Sequence, residues 1–174
     1  MLHDIGKVRV PEAILNKPGS LTEEEWTVMR THPEVGERIL RPIQSLQPIL
    51  PIVRHHHERW DGTGYPDRLI GRAIPLGALI VAVCDAYRAM TEDRPYRNAL
   101  TAVDARRELQ EGVGTQFDGD CVAALLRVLE HRTASARWSR CDPRARSRTE
   151  APYDLASCQS SPTPTSTSSG GSRG

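Results

Sequence analysis

Apolar residues recur at helical intervals along this chain up to about residue 132 and then fade. Ser20-Leu21-Thr22-Glu23-Glu24-Glu25 is rich in residues that start helices, and Thr22 with Glu25 fits a capping box. Leu21, Trp26 and Met29 then give one helical face. Pro33 suits a first helical position, with Val35, Ile39 and Leu40 continuing on one side. Ile43 to Val53 is a second apolar stretch. Pro75 opens a helix predicted to reach about Met90. Thr101 with Asp104 caps another, which carries Val103 and Leu109. Asp118 starts the last, with Val122, Leu125, Leu126 and Leu129 on its buried face. No stretch alternates with the period of a strand. The predicted fold class is all-α, a small helical bundle.

From Thr133 the pattern changes. Arg137, Arg140, Arg144, Arg146 and Arg148 form a loose basic run, and Ser157 to Gly174 is Ser/Thr/Pro/Gly with almost no apolar residue. Such a segment cannot bury enough surface to offset its ordering entropy. The chain is therefore expected to divide into a domain over 1–132 and a disordered tail over 133–174. At the other end, Met1-Leu2-His3-Asp4-Ile5-Gly6-Lys7 reads as the close of a helix whose earlier turns lie upstream, so a truncated N-terminus is expected.

Composition adds mainly exclusions. The 174 residues carry a formal net charge of +1, so no global field points to a nucleic-acid partner. Cys84, Cys121, Cys141 and Cys158 are scattered, which suits reduced thiols in a cytoplasmic protein. No secretory leader is visible after Met1. The run Ile74 to Val83 is too short to span a bilayer. With one Phe and four Tyr, the core must be mostly aliphatic.

The candidate chemistry lies in separate blocks. His55-His56-His57 precede Glu58-Arg59-Trp60-Asp61 and a glycine turn ending in Gly64-Tyr65-Pro66. Neutral imidazoles are common metal ligands, yet a polar His-rich loop is an equal reading of the triplet alone. His3-Asp4 could bind one ion through the imidazole and bridge to another through the second carboxylate oxygen. Lys7 falls on the same helical side and could meet an anionic substrate. Asp85 follows Leu79 to Cys84, all apolar, where an ionised carboxylate is costly without a cation or a set of hydrogen bonds. His32, ahead of Pro33, could be a helix start or a ligand.

Together these blocks resemble the HD-GYP family, a branch of the HD-domain metal-dependent phosphohydrolases. The resemblance rests on His3-Asp4-Ile5-Gly6-Lys7, His32-Pro33-Glu34-Val35-Gly36, His56 through Pro66, and Asp85 through Asp93-Arg94-Pro95-Tyr96-Arg97, and covers roughly residues 1–131. It implies a helical HD-type bundle holding two or three divalent ions, usually iron or manganese. It also implies hydrolysis of cyclic di-GMP to the linear dinucleotide or to GMP. The implied metal ligands are His3, Asp4, His32, His56, His57 and Asp85, leaving His55 as the extra histidine. Lys7 matches the lysine near the scissile phosphate, and Arg94 and Arg97 match positions that hold phosphate or guanine. Gly64, Tyr65 and Pro66 would form a lip beside the site, touching substrate or a signalling protein.

This sequence departs from the pattern in two places. Family members carry a further Glu and His on a helix before the HD pair, where this chain has no residues. Arg88 stands where the family commonly has Asp. One ion could be held by Asp4, His32, His56 and His57, while the other keeps only His3, Asp4 and Asp85. Weak or absent turnover by the chain as given is therefore expected. The competing readings are an HD hydrolase of another phosphoester and a non-catalytic signalling module.

Overall fold

The computed structural model describes residues 2–93 and 98–141, with side chains through 131. The chain divides into two units, Met1–Arg132 and Thr133–Gly174. The first is all helix, and no strand occurs among the described residues. Its α-helices are α1 (Glu12–Leu15), α2 (Glu23–Met29), α3 (His32–Leu40), α4 (Leu50–His55), α5 (Leu76–Thr91), α6 (Ala102–Glu111) and α7 (Gly119–Cys141). Short 3-10 segments cover Leu2–Arg9, Gln44–Ile49 and Gly71–Ala73.

The local signals act as the sequence implies. Thr22 Oγ1 accepts the Glu25 amide, and the Glu25 carboxylate accepts the Thr22 amide, closing the capping box of α2. Thr101 caps α6 through the Asp104 amide. Pro75 precedes α5, where its missing N–H leaves no donor unpaired. The backbone of α7 runs on to Cys141, past the expected boundary at 132, and the rest of the tail lies outside the described residues.

One core forms where α5, α6 and α7 meet, around Ile74, Ala78, Leu79, Val83, Leu109 and Val122. A smaller one, Leu40, Leu50 and Val53, joins α3 to α4. Each buried aliphatic side chain there contributes roughly 1.5–3 kcal/mol. Two expected core positions are instead exposed: Val103 at 74 % and Ile39 at 39 %. Both sit on the correct helices, but the neighbouring helices contact a different stripe. Asp85 also departs from expectation. Only Ala78, Leu79 and Val83 of α5 are buried. The Asp85 side chain is 41 % exposed and faces a cavity rather than a dry core.

Gly6 sets the spacing that matters for function. A Cβ on Gly6 would run into the His32 carbonyl and the Gly36 amide of α3. The N-terminal turn therefore lies directly on α3, which brings His3 and Asp4 beside His32.

Candidate metal centre

Three elements converge on one cluster. The Leu2–Arg9 turn supplies His3 and Asp4, the first turn of α3 supplies His32, and the end of α4 supplies His56 and His57. Ligand atoms of Asp4, His32, His56 and His57 all lie within 4.8 Å of one another. His32 Nε2 is 3.4 Å from His56 Nε2 and 3.5 Å from Asp4 Oδ1. His56 Nε2 is 3.8 Å from the same Asp4 oxygen. The other carboxylate oxygen, Asp4 Oδ2, is 3.5 Å from His3 Nε2 and 2.9 Å from Lys7 Nζ. His3 Nε2 in turn lies 4.0 Å from Asp85 Oδ1. Asp4 thus stands between two poles: His32 and His56 on one side, His3 and Asp85 on the other.

The donor set fits a divalent cation. His32 Nδ1 and His56 Nδ1 lie 2.8 Å from the carbonyls of Met29 and Val53. An N–H at each Nδ1 donates to its carbonyl, so each Nε2 presents a lone pair. Two such lone pairs and a carboxylate oxygen then face one another at 3.4–3.8 Å, an arrangement that a cation relieves. Burial holds His32 down to about 4 and His57 to about 3, and it also lowers His3. These imidazoles are neutral at pH 7, as metal ligation requires. Burial alone would raise Asp4, but the Lys7 ammonium 2.9 Å away opposes it, and the carboxyl is held ionised, far below the usual range.

The glycine-rich loop closes over His57. The Tyr65 amide donates to the His57 carbonyl at 3.2 Å, and the Tyr65 ring stacks on the His57 imidazole. Gly64 passes so close to the backbone of Glu58 and Arg59 that no Cβ fits there. Pro66 follows in the same turn.

Glu58 holds that loop, a role with no sequence signal beyond its place after His57. Its side chain is fully buried, and its carboxylate accepts the amides of Asp67 at 2.7 Å and Leu69 at 3.2 Å. Arg54 adds a second anchor, donating to both oxygens of Asp67 and to Glu37 and Glu34 on α3. His55, the extra histidine, points into this anchor, 3.5 Å from Asp67 Oδ2. Arg88 turns away to pair with Glu92 at 2.7 Å. Arg94 and Arg97 lie outside the described residues.

The cluster opens on a cavity of about 590 Å³, lined on its polar side by Lys7, His32, His56, His57 and Asp85. Residues 1–121 match the HD domain family. The chain belongs to that family.

Its relatives narrow the branch. The chain is 48 % identical over 128 residues to the cyclic di-GMP phosphodiesterase response regulator RpfG of Xanthomonas campestris, covering 72 % of this chain and 34 % of that protein. It is 46 % identical over 131 residues to a cyclic di-GMP phosphodiesterase of Thermotoga maritima, covering 73 % and 35 %. It is 41 % identical over 127 residues to the 3'3'-cGAMP-specific phosphodiesterase 2 of Vibrio cholerae, covering 72 % and 24 %. This HD-domain chain thus spans about a third or less of the curated relatives it matches. An HD-GYP-type protein from Bdellovibrio bacteriovorus shares the fold, with a TM-score of 0.56 at 22 % identity over 74 % of this chain and 40 % of that one. The HD-GYP resemblance drawn from the motifs is borne out.

Proposed function

We propose that the chain is the catalytic portion of a metal-dependent phosphodiesterase that opens a cyclic dinucleotide, with cyclic di-GMP as the substrate and iron or manganese as the metal. The single observation that carries this reading is the Asp4 carboxylate shared between two imidazole poles beside a free-standing cavity. The similarity to cyclic dinucleotide phosphodiesterases supports the substrate class.

Asp4, His32, His56 and His57 would hold a divalent ion, which would offset the charge of the diester and make a water more acidic. The chain's own residues do the rest. His32 and His57, kept neutral by burial, stand with His56 on one side of Asp4 as donors to the ion. Lys7, 35 % exposed and lining the cavity, places an ammonium where the phosphate oxygens gather negative charge. Asp85 and His3 frame the other side. Tyr65 braces His57 from behind, which favours a site wall over a protein-docking lip as the role of the Gly64-Tyr65-Pro66 turn. Arg94 and Arg97 are proposed to hold substrate phosphate or guanine.

The test is product analysis after incubating the Mn²⁺-loaded chain with cyclic di-GMP. Slow release of the linear dinucleotide or GMP is expected, because the His3–Asp85 pole is thinly furnished. Asp4→Ala should lose both bound metal and turnover. Turnover that survives Asp4→Ala refutes the reading. Wild-type metal binding without any turnover favours a signalling module.

A further inference from the structure

Helices α1 and α2 contain no buried residue, although both carry large apolar side chains. Their apolar side does not join either core. Leu15, Leu21, Trp26 and Met29 instead form one wall of the cavity that holds the histidine cluster. The α1–α2 corner is pinned in this pose by the Thr22 capping box and by Lys17 Nζ, 2.6 Å from Glu25 Oε2. Trp26 remains 39 % exposed, with the Arg30 guanidinium 5.7 Å from its ring centroid. Across α5, Ala82, Ala86 and Ala89 present only small side chains to the same cavity.

The cavity lining is therefore of two chemical kinds. Lys7 and the metal-type donors suit an anion. The indole and aliphatic side chains offer apolar surface, which a phosphate alone would leave wet. An apolar peptide would cover the wall but leave the polar groups unmatched. A nucleotide meets both, because its base is a flat π-surface tied to a phosphate. The volume of about 590 Å³ lies in the usual range for small-molecule sites.

We propose that Trp26, with Leu21 and Met29, is the platform on which one purine base of the cyclic dinucleotide stacks while its phosphate faces Asp4 and Lys7. This rests on the hydrolase reading above and assigns the base-binding wall of the same cavity. Trp26 acts on ground-state binding, so its loss should raise KM and leave kcat nearly intact.

The test compares the Mn²⁺-loaded wild-type chain with Trp26→Ala and Trp26→Phe. Trp26→Ala should raise KM for cyclic di-GMP by roughly 5- to 150-fold, the span of base–aromatic stacking, with kcat within about two-fold. Trp26→Phe should recover most of the affinity. Mn²⁺ affinity should be the same in all three, because Trp26 offers no ligand atom. An unchanged KM overturns the proposal, as does a joint collapse of kcat and Mn²⁺ affinity. Calorimetric binding of cyclic di-GMP separates the two readings. Binding without turnover, weakened by Trp26→Ala, keeps the platform and sinks the hydrolase. Equal binding by wild type and variant, or none by either, sinks the platform.

Discussion

The imidazole of His57 is stacked on the phenol ring of Tyr65, with centroids 4.9 Å apart and planes inclined by 19°. The same tyrosine donates its amide to the His57 carbonyl, so residue 57 is held at ring and backbone together. Aromatic stacking of this kind contributes about 0.5–1.5 kcal/mol beyond burial. Tyr65→Phe keeps the ring and should leave Mn²⁺ affinity within about two-fold. Tyr65→Ala frees the imidazole and should weaken Mn²⁺ by roughly 2- to 10-fold, read by competition with a chelator. Equal affinities in the two variants would show that the stack does not position His57.

Glu58 offers a sharper stability test. Its buried carboxylate accepts the amides of both Asp67 and Leu69. Glu58→Gln replaces one acceptor with an NH₂ group that faces a donor. The cost should be about 1–3 kcal/mol, seen as a lower midpoint in urea. An unchanged midpoint would mean that the loop is held by other contacts.

Gly6→Ala should be worse. The added methyl meets backbone atoms of His32 and Gly36, which cannot rotate away. Overpacking of this type costs about 1–3 kcal/mol or more. Because the strain falls between His3-Asp4 and His32, metal affinity should drop along with the urea midpoint. Loss of stability with full metal affinity would contradict the geometry.

The Arg54 network predicts a pH effect. Arg54 holds the Asp67 carboxyl below its ordinary range. Burial would raise Glu37, but Arg41 and Arg54 outweigh it and hold that group low as well. A carboxylate with a depressed folded pKa stabilises the fold above its unfolded pKa, and the effect is lost as pH falls through the folded value. The share of the melting temperature that rests on these carboxylates should therefore be lost with acidification below about pH 4.5, beneath the earlier decline from the buried His32 and His57. Arg54→Met should flatten that part of the profile. A profile identical to wild type would show that the pairs are fully screened.

Cys121 provides a check on the α7 packing. Burial, with Asp118 close by, pushes its thiol up to about 11. Only 8 % of the residue is exposed. Iodoacetamide at pH 8 should leave Cys121 unmodified in the folded chain and alkylate it in urea. Ready alkylation of the folded chain would place the start of α7 elsewhere.

The sequence alone determined the local choices. Thr22, Pro33, Pro75 and Thr101 mark helix starts because capping and proline geometry act within a few residues. It also held the candidate ligand types, since the His3-Asp4, His32, His56-His57 and Asp85 blocks occur in a recognisable order. Tertiary structure decided what those blocks do to one another. Burial that lowers His32 and His57 comes from packing between turns distant in sequence, and no local pattern reports it. Glu58 and Arg54 gained their anchoring roles only when the loop folded back on α4. Val103 lies on a predicted helix yet faces solvent, because periodicity gives a stripe and neighbours choose which part of it is covered. Trp26 shows the same division. Its period placed it on an apolar face, and only the fold turned that face toward the cavity beside Asp4.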